Sequence, residues 1–220
     1  MLELKSITKT YHNGQEEVAA VKDVSLTLTP GEYLSIAGPS GAGKSTLLHI
    51  MGGLEKPQAG TISHGGRDIY AWADDGLSLW RNQTVGFVFQ FYHLIEELNI
   101  LENTALPALK QGRKTAFKKA EELLEYLGVD KRALFFPSQL SGGERQKAAI
   151  ARALINDPRI VLCDEPTGNL DKDSQGKVID LLERLSREKN KTLVLVTHNP
   201  ELAKRSSRQI RMESGEIVNA

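Results

Sequence analysis

A glycine-rich stretch at residues 38–46, Gly-Pro-Ser-Gly-Ala-Gly-Lys-Ser-Thr, contains the clearest chemistry in the chain. The glycines allow a tight backbone turn, so that N–H groups and the N-terminus of a following helix face an anion. Lys44 adds a full positive charge, and the Ser45 hydroxyl is suited to bind Mg²⁺. The pattern therefore predicts a loop that binds the phosphates of a nucleoside triphosphate. Its predicted nucleotide-binding residues are Gly38, Pro39, Ser40, Gly41, Ala42, Gly43, Lys44, Ser45 and Thr46.

Two acidic residues follow the apolar run Ile-Val-Leu-Cys at residues 160–163. A buried strand that ends in Asp places a carboxylate at the carboxyl edge of a parallel sheet, where a phosphate loop also lies. We expect Asp164 to hold Mg²⁺ through water, and Glu165 to be the general base that polarises the attacking water. Together with the loop, these residues predict hydrolysis of the bound nucleotide.

A second motif, Leu-Ser-Gly-Gly-Glu-Arg-Gln, occupies residues 140–146. Ser141 is a good helix N-cap, and Glu144 three positions later completes a capping box. A cap does not require the paired glycines Gly142 and Gly143, which expose N–H groups at the helix start and so create a second anion site. One nucleotide does not need two helix N-termini on its γ-phosphate from one subunit. We therefore expect this site to act on a nucleotide held by a second copy of the chain.

Hydrophobic patterning indicates the strands that position these residues. Residues 2–8 and 24–29 alternate between apolar and polar side chains, as expected of an antiparallel β layer. Mostly continuous apolar runs instead favour a parallel sheet that is buried on both faces. These runs are residues 33–37, 84–89, 160–163 and 193–197.

The segment between the second and third of these runs is predicted to be mainly helical. Within residues 117–127 the apolar side chains share one helical face, and Gly128 ends the helix. A final hairpin is predicted at residues 211–218. The prediction is an α/β fold with a phosphate-loop core, a mostly parallel sheet, an antiparallel β layer and a helical subdomain. Residues 1–220 are predicted to form a single domain, with the α/β core at about 1–90 and 157–220 and the helical subdomain at about 91–156.

The composition is that of a compact domain, because 40% of the 220 residues are hydrophobic and 25% are charged. The formal net charge is zero, so no overall field favours binding of nucleic acid. The single cysteine, Cys163, cannot form an internal disulfide and fits a reducing compartment. No apolar run reaches the roughly 18 residues of a membrane span, and no signal peptide is apparent. We expect a cytosolic protein that meets a membrane only through a partner.

The ordered set of motifs resembles the ATP-binding cassette (ABC) ATPases over essentially all 220 residues. The resemblance implies that Tyr11 stacks on adenine, that Gln90 touches Mg²⁺ and reports to a partner, and that His198 contacts the γ-phosphate. It also implies that residues 140–146 are the signature motif and that residues 168–171 cross the dimer. Such a protein binds ATP and Mg²⁺ and forms a homodimer with ATP at the interface. The positions that these two motifs contribute are Ser141, Gly142, Gly143 and Asp171.

Residues 79–94 and 101–107 are similar to those of the lipoprotein-releasing and macrolide-exporter ATPases, and less similar to those of their relative in cell division. In that group the ATPase pairs with an integral-membrane permease subunit that has four helices and a large external domain, and hydrolysis drives mechanical motion. Glu96, where a proline is expected, and Lys147, where an arginine is usual, depart from the pattern. The resemblance implies an ATPase at the cytoplasmic face of the cell membrane that works in lipoprotein release or export.

Three other systems remain as alternatives. An importer ATPase often carries an additional C-terminal regulatory domain, whereas this chain ends soon after the predicted hairpin. A regulatory ATPase of the cell-division type performs no transport. A soluble ABC ATPase that acts on DNA or ribosomes carries two cassettes, long coiled coils or zinc-binding insertions, none of which is apparent in the sequence. Whichever membrane system applies, we expect the helical segment at residues 91–102 to form a docking groove for a cytoplasmic helix of the membrane subunit, because it is rich in apolar side chains. The alternative is that these side chains only pack the helical subdomain.

Overall fold

The computed structural model of the chain describes residues 1–14 and 16–219. The strands of this part are β1 (Leu2–Asn13), β2 (Glu16–Leu28), β3 (Tyr33–Ala37), β4 (Ala59–His64), β5 (Arg67–Asp68), β6 (Val85–Phe89), β7 (Ile160–Asp164), β8 (Thr192–Thr197), β9 (Arg208–Glu213) and β10 (Glu216–Asn219). The α-helices are α1 (Lys44–Met51), α2 (Asp74–Thr84), α3 (Ile100–Ala105), α4 (Arg113–Tyr126), α5 (Gly142–Leu154), α6 (Lys172–Lys189) and α7 (Pro200–Ala203). Short 3₁₀ helices occupy Ile69–Ala71, Leu106–Gln111, Asp130–Arg132 and Pro137–Gln139.

The larger sheet has the strand order β10-β9-β3-β8-β7-β6, and all of its neighbouring strands except β10 and β9 pair in parallel. This confirms the mostly parallel sheet, and the antiparallel pair β9 and β10 confirms the final hairpin. The sheet is buried on both faces. In β8, Leu193 and Leu195 belong to one hydrophobic cluster, whereas Val194 and Val196 belong to another. Burial on both faces explains why these strands are continuous apolar runs.

The smaller sheet is antiparallel, with the order β2-β1-β4-β5, and confirms the predicted β layer. Its first two strands, at 12 and 13 residues, are longer than predicted. The pairing register shifts along β1, and Ser6 and Asp23 have positive φ angles of 50° and 47°. Such irregularities interrupt the two-residue alternation of side chains, so the pattern indicated only part of each strand.

Helix α1 connects the two sheets through one shared hydrophobic cluster. Leu47, Leu48, Ile50 and Met51 of this helix are fully buried, together with apolar residues of β1 to β4 and alternate residues of β7 and β8. The predicted phosphate loop therefore leads into a helix that is fixed on several sides.

The helices α3, α4 and α5 form a separate group on the other face of the larger sheet and share the second hydrophobic cluster. Helix α4 confirms the predicted helix, and it buries Ala116, Ala120 and Leu124. Gly128 follows the helix with φ of 66°, as expected of a helix-ending glycine.

The prediction of a helix directly after Gln90 is wrong. Residues 91–99 are irregular, with bends at Phe91 and Leu98 and a turn at residues 96–97, and α3 begins only at Ile100, where Asn99 supplies the N-cap and Glu102 completes a capping box. The buried Asn103 side chain holds the turn, because it hydrogen-bonds the backbone of Ile95, Leu98 and Asn99. These hydrogen bonds from a side chain satisfy backbone N–H and C=O groups that would otherwise pair within a helix.

The same segment is also less exposed than expected. Leu98 is only partly exposed and Ile100 is fully buried, whereas 67% of Phe91 and 39% of Ile95 is exposed. Among the residues that the structure describes, no helix combines the length and the apolar character needed to cross a bilayer.

Candidate nucleotide site

The predicted catalytic residues follow strands that end at the same edge of the larger sheet. Ala37 pairs with Thr197, and Asp164 pairs with both Phe89 and Val196. The residues that come directly after these strands are therefore brought together at the carboxyl edge, although they are far apart in sequence. They are Gly38, Gln90, Glu165 and His198.

The phosphate loop is shaped by close backbone contacts. Gly43 caps α1 in the left-handed conformation with φ of 93°, and a Cβ atom there would lie 1.9 Å from the carbonyl oxygen of Ala20. Only glycine fits this position. Lys44 is 6% exposed, and its ammonium donates hydrogen bonds to the carbonyls of Gly38 at 2.9 Å and Pro39 at 2.8 Å. The positive charge is therefore held inside the loop.

A cleft of about 630 Å³ opens above this loop. Residues 40–46 form its floor, and residues from β1, from β2 and from the ends of β6, β7 and β8 complete it. The arrangement brings together most of the residues predicted to hold the nucleotide. Apart from the loop, the lining residues are Tyr11, Val18, Ala20, Gln90, Glu165 and His198.

Ser45 and Asp164 form a pair of oxygen ligands beside the cleft. Ser45 Oγ donates to Asp164 Oδ1 at 2.9 Å. No group of three or more His, Cys, Asp or Glu side chains in the described part of the chain is arranged to hold a metal ion. Mg²⁺ in nucleotide sites usually takes one or two protein oxygens and completes its shell with water and phosphate. A hydroxyl and a carboxylate at hydrogen-bond distance therefore fit Mg²⁺.

Glu165 contacts His198 at the sheet edge. His198 Nδ1 lies 2.7 Å from Glu165 Oε2, and the side chain of His198 is 67% exposed. The backbone of Glu165 is in the left-handed region, with φ of 48°, and its N–H donates to the carbonyl of Val196 at 3.0 Å. A non-glycine residue rarely adopts this conformation, and the pairing to β8 holds it there.

Gln90 is joined to the loop that follows Glu165. The backbone carbonyl of Gln90 accepts a hydrogen bond from Asn169 Nδ2 at 3.1 Å, and Gln90 Nε2 lies 3.4 Å from Asn169 Oδ1. A Cβ atom on Gly168 would lie 2.7 Å from Gln90 Nε2, so the two segments touch. The position of Gln90 is therefore coupled to the backbone next to the predicted base.

Tyr11 lies on β1 at the rim of the cleft, where 38% of it is exposed. Its hydroxyl donates to the carboxylate of Glu55, which also pairs with Lys9 at 3.0 Å. Burial raises the pKa of Tyr11, and the hydrogen bond to Glu55 raises it further. The phenol is therefore neutral at physiological pH, with its hydroxyl anchored away from the ring face.

The motif at residues 140–146 forms the predicted capping box at the start of α5. Ser141 Oγ accepts from the N–H of Glu144 at 3.3 Å, and Glu144 Oε2 accepts from the N–H of Ser141 at 2.9 Å. The motif lines a smaller cleft of about 160 Å³, which includes Ser141 and Gly143. In the described chain, no residue lining this cleft also lines the nucleotide cleft. The two predicted anion sites of one subunit therefore line separate clefts.

Asp171 caps α6, the next helix along the chain after β7. It accepts hydrogen bonds from Ser174 N at 3.0 Å and Ser174 Oγ at 2.7 Å, which lower the pKa of Asp171. The carboxylate is fully solvent-exposed. It is therefore accessible to another subunit, and it does not line the nucleotide cleft of its own.

Three residues near these sites were missed by the sequence analysis. Asn169 lies inside the segment 168–171, but nothing in the sequence indicated its contact with Gln90. His49 Nε2 lies 3.8 Å from Asp164 Oδ2, too long for a hydrogen bond. Its spacing of four residues from Ser45 on α1 could have indicated that both face Asp164. Arg132 donates a hydrogen bond to Glu144 at 2.8 Å, and no local sequence pattern indicated this contact.

Comparison with known proteins gives one consistent result. A family model described as ABC transporter matches residues 21–168. The "Lipoprotein-releasing system ATP-binding protein LolD" of Geobacter metallireducens is 45% identical over 99% of this chain and 98% of its own length. The protein of the same name from Shewanella oneidensis is 46% identical over 98% of this chain and 94% of its own length.

Comparison with solved structures points to the same family. The dimeric structure of MJ0796, a bacterial ABC transporter cassette, matches with a TM-score of 0.92 and 42% identity, over 100% of this chain and 97% of that one. The same cassette in a dimeric post-hydrolysis state with ADP and phosphate matches with a TM-score of 0.92 and 41% identity. With a family model over most of its length and relatives of this identity along all of it, the chain belongs to the ABC transporter family as an ATPase cassette.

Proposed function

We propose that the chain is the ATP-hydrolysing subunit of a membrane ABC system, and that two copies dimerise around two ATP molecules to drive conformational work in an integral-membrane permease. The observation that supports hydrolysis is the convergence of the phosphate loop, the Ser45–Asp164 pair and the Glu165–His198 pair at one sheet edge. The work is lipoprotein release, an assignment that rests on relatives named for that function along almost their entire length.

In this mechanism, the loop N–H groups and Lys44 bind the phosphates, and Ser45, Asp164 and Gln90 would hold Mg²⁺. When bound there, Mg²⁺ would supply positive charge that offsets the charge on the phosphate oxygens in the transition state. Glu165 accepts a proton from water as the water oxygen attacks the γ-phosphorus and the bond to the β,γ-bridging oxygen breaks. His198 contacts Glu165 through Nδ1 and orients this carboxylate next to the γ-phosphate.

The dimer is proposed because each of its two nucleotide sites needs one half from each subunit. The nucleotide cleft holds ATP on one subunit, with adenine stacked on the exposed ring of Tyr11. Ser141 and the N–H groups of Gly142 and Gly143 on the other subunit then face the γ-phosphate, because the first N–H groups of a helix have no partner within it. Asp171 is exposed for contact across the same interface. The dimeric MJ0796 structures support this arrangement.

The chain acts at the cytoplasmic face of the cell membrane, attached through its permease. We place the docking surface at the exposed Phe91 and Ile95, which lie next to Gln90. The whole chain serves as one domain, in which an α/β core at about residues 1–90 and 157–220 holds ATP. The helical subdomain at about 91–156 carries the docking surface and the motif that faces the second ATP.

The experiment that tests this function uses vesicles that contain a permease subunit of a lipoprotein-releasing system, with which the chain co-purifies, and a labelled lipoprotein. Adding the chain, ATP and Mg²⁺ should move the lipoprotein into the soluble fraction. The Glu165→Gln variant is the matched control, because it preserves the shape of the site but cannot accept the proton. ATP hydrolysis that is stimulated by the permease while the lipoprotein stays in the vesicles would contradict lipoprotein release and leave the ATPase assignment intact.

A further inference from the structure

The hydroxyl of Ser141 is engaged by a carboxylate of its own helix. Ser141 Oγ lies 2.8 Å from Glu144 Oε2, and the N–H of Ser141 donates to the same oxygen at 2.9 Å. Hydrogen bonding from Arg132 and from Ser141 lowers the pKa of Glu144 to about 2, so the carboxylate is ionised at neutral pH. An ionised carboxylate can only accept, and therefore the Ser141 proton points at Glu144.

This arrangement conflicts with the role proposed for Ser141 in the dimer. A hydroxyl has a single proton, so a proton held by Glu144 cannot also be donated to a phosphate oxygen. The Ser141 hydroxyl must leave Glu144 before it can donate to a γ-phosphate. The rate of hydrolysis therefore depends on how strongly Glu144 retains the Ser141 hydroxyl.

Arg132 controls the other oxygen of this carboxylate. Arg132 Nε donates to Glu144 Oε1 at 2.8 Å. The guanidinium also lies over the ring of Phe135, 4.9 Å from its centre, and Phe135 packs against the hydrophobic cluster of the helical group. The Glu144 carboxylate and the Phe135 ring therefore both hold the guanidinium, so its position does not depend on a single contact of a flexible side chain.

The backbone around Arg132 is held as well. The carbonyl of Ala133 accepts a hydrogen bond from Leu101 N at 2.8 Å, and the carbonyl of Phe135 accepts from Ile100 N at 2.9 Å. Both donors are at the start of α3, so the segment carrying Arg132 joins the first turns of α3 and α5. A charge-assisted bond that is fixed in this way draws negative charge to Oε1 and makes Oε2 a weaker acceptor.

We propose that Arg132 is a positioning residue for Ser141: by holding Glu144 through Oε1, it weakens the hold of Oε2 on the Ser141 hydroxyl, which can then turn to the γ-phosphate presented by a second copy of this chain. The inference rests on the proposed ATP dimer. Arg132 touches no substrate in this role and acts only through Glu144.

The test measures steady-state ATP hydrolysis by the full chain with Mg²⁺. In Arg132→Gln, Glu144 loses its charged partner and retains the hydroxyl, so kcat should fall about tenfold, the lower end of what one hydrogen bond to a charged group is worth. KM for ATP should stay within about twofold, because the phosphate loop of the other subunit holds the nucleotide. Adding Glu144→Gln should restore most of kcat, since a neutral amide is a weaker acceptor than a carboxylate.

The rescue separates positioning from a structural role. If Arg132 only held its loop in place, removing the charge of Glu144 as well would not restore activity. Arg132→Lys keeps the charge but loses the planar fork and the ring contact, so its kcat should be intermediate. The control is Lys118→Gln, which removes an exposed pair with Glu122 on α4, at 3.9 Å, and should leave kcat and the melting temperature unchanged.

Two results would overturn the inference. One is a kcat for Arg132→Gln equal to that of the wild type, and the other is a double variant no more active than Arg132→Gln alone. The wild-type rate in the same series tests the ATPase separately, so failure of the positioning role and failure of the proposed function are distinguishable.

Discussion

Replacing Glu165 by glutamine should separate ATP binding from hydrolysis. The amide has the same shape as the carboxylate and can still form a hydrogen bond with His198, whose Nδ1 lies 2.7 Å from Glu165 Oε2. It cannot accept the proton of the attacking water. The variant should therefore bind ATP normally and fail at the chemical step.

The expected loss of rate is much larger than the expected loss of stability. A general base contributes about 10²- to 10⁴-fold, which is about 2.7 to 5.4 kcal/mol of activation free energy. The pair with His198 is worth at most about 1 kcal/mol, because the His198 side chain is 67% exposed. For a chain of this length that corresponds to a change in melting temperature of at most about 4 °C.

The assay measures phosphate release and the apparent mass by gel filtration with ATP and Mg²⁺. The variant should hydrolyse ATP at least about 100-fold more slowly, and it should elute as a dimer, since ATP that is not hydrolysed holds the two copies together. Glu122→Gln, the same exchange at an exposed site on α4, is the matched control. A variant that retains more than about a tenth of the wild-type rate would refute Glu165 as the base, and elution only as a monomer would refute the ATP-bound dimer.

Three further predictions concern the other parts of the site. Lys44→Ala should nearly abolish ATP binding and hydrolysis, because it removes the charge held inside the loop, and hydrolysis near the wild-type rate would contradict the loop assignment. Ser141→Arg should leave ATP binding intact but eliminate hydrolysis, because the bulky cation blocks the anion site offered to the other subunit. A mixed dimer of Ser141→Arg and Lys44→Ala has one intact site, so mixing the two variants should restore some activity if that site works alone. Faster hydrolysis by Ser141→Arg alone would contradict action between subunits. Phe91→Arg combined with Ile95→Arg should preserve basal hydrolysis but abolish co-purification with the permease and its stimulation, whereas Val218→Arg at another exposed apolar residue should not; continued stimulation of the double variant would place docking elsewhere.

The sequence predicted what depends on local pattern. The strand, loop and helix around residues 33–51 carry their own signals, because burial on both faces, tight turning and helix capping each require particular residue types in sequence. The capping box at Ser141 was predicted for the same reason and is present with both of its hydrogen bonds. The convergence of separate segments at one sheet edge also followed, because parallel strands share one direction.

What the sequence could not predict depends on contacts between distant segments. Residues 91–99 have nearly helical apolar spacing, but the buried side chain of Asn103 stabilises a turn instead. The contact of Arg132 with Glu144 and that of Asn169 with Gln90 join segments whose distance is set by the whole fold. The bulges near Ser6 and Asp23 likewise arise from strand pairing and left no clear local pattern.

The left-handed backbone of Glu165 implies a compromise between durability and activity. A side chain in this conformation costs about 1 to 2 kcal/mol, which glycine would largely avoid. Glycine would relieve this cost, but it would also lose the contact with His198 and has more conformational freedom to lose on folding, so the two effects largely offset each other. Screening only for heat resistance therefore places little pressure on this carboxylate, whereas ATP turnover requires it, so a stabilised form that still works must gain its stability elsewhere in the molecule.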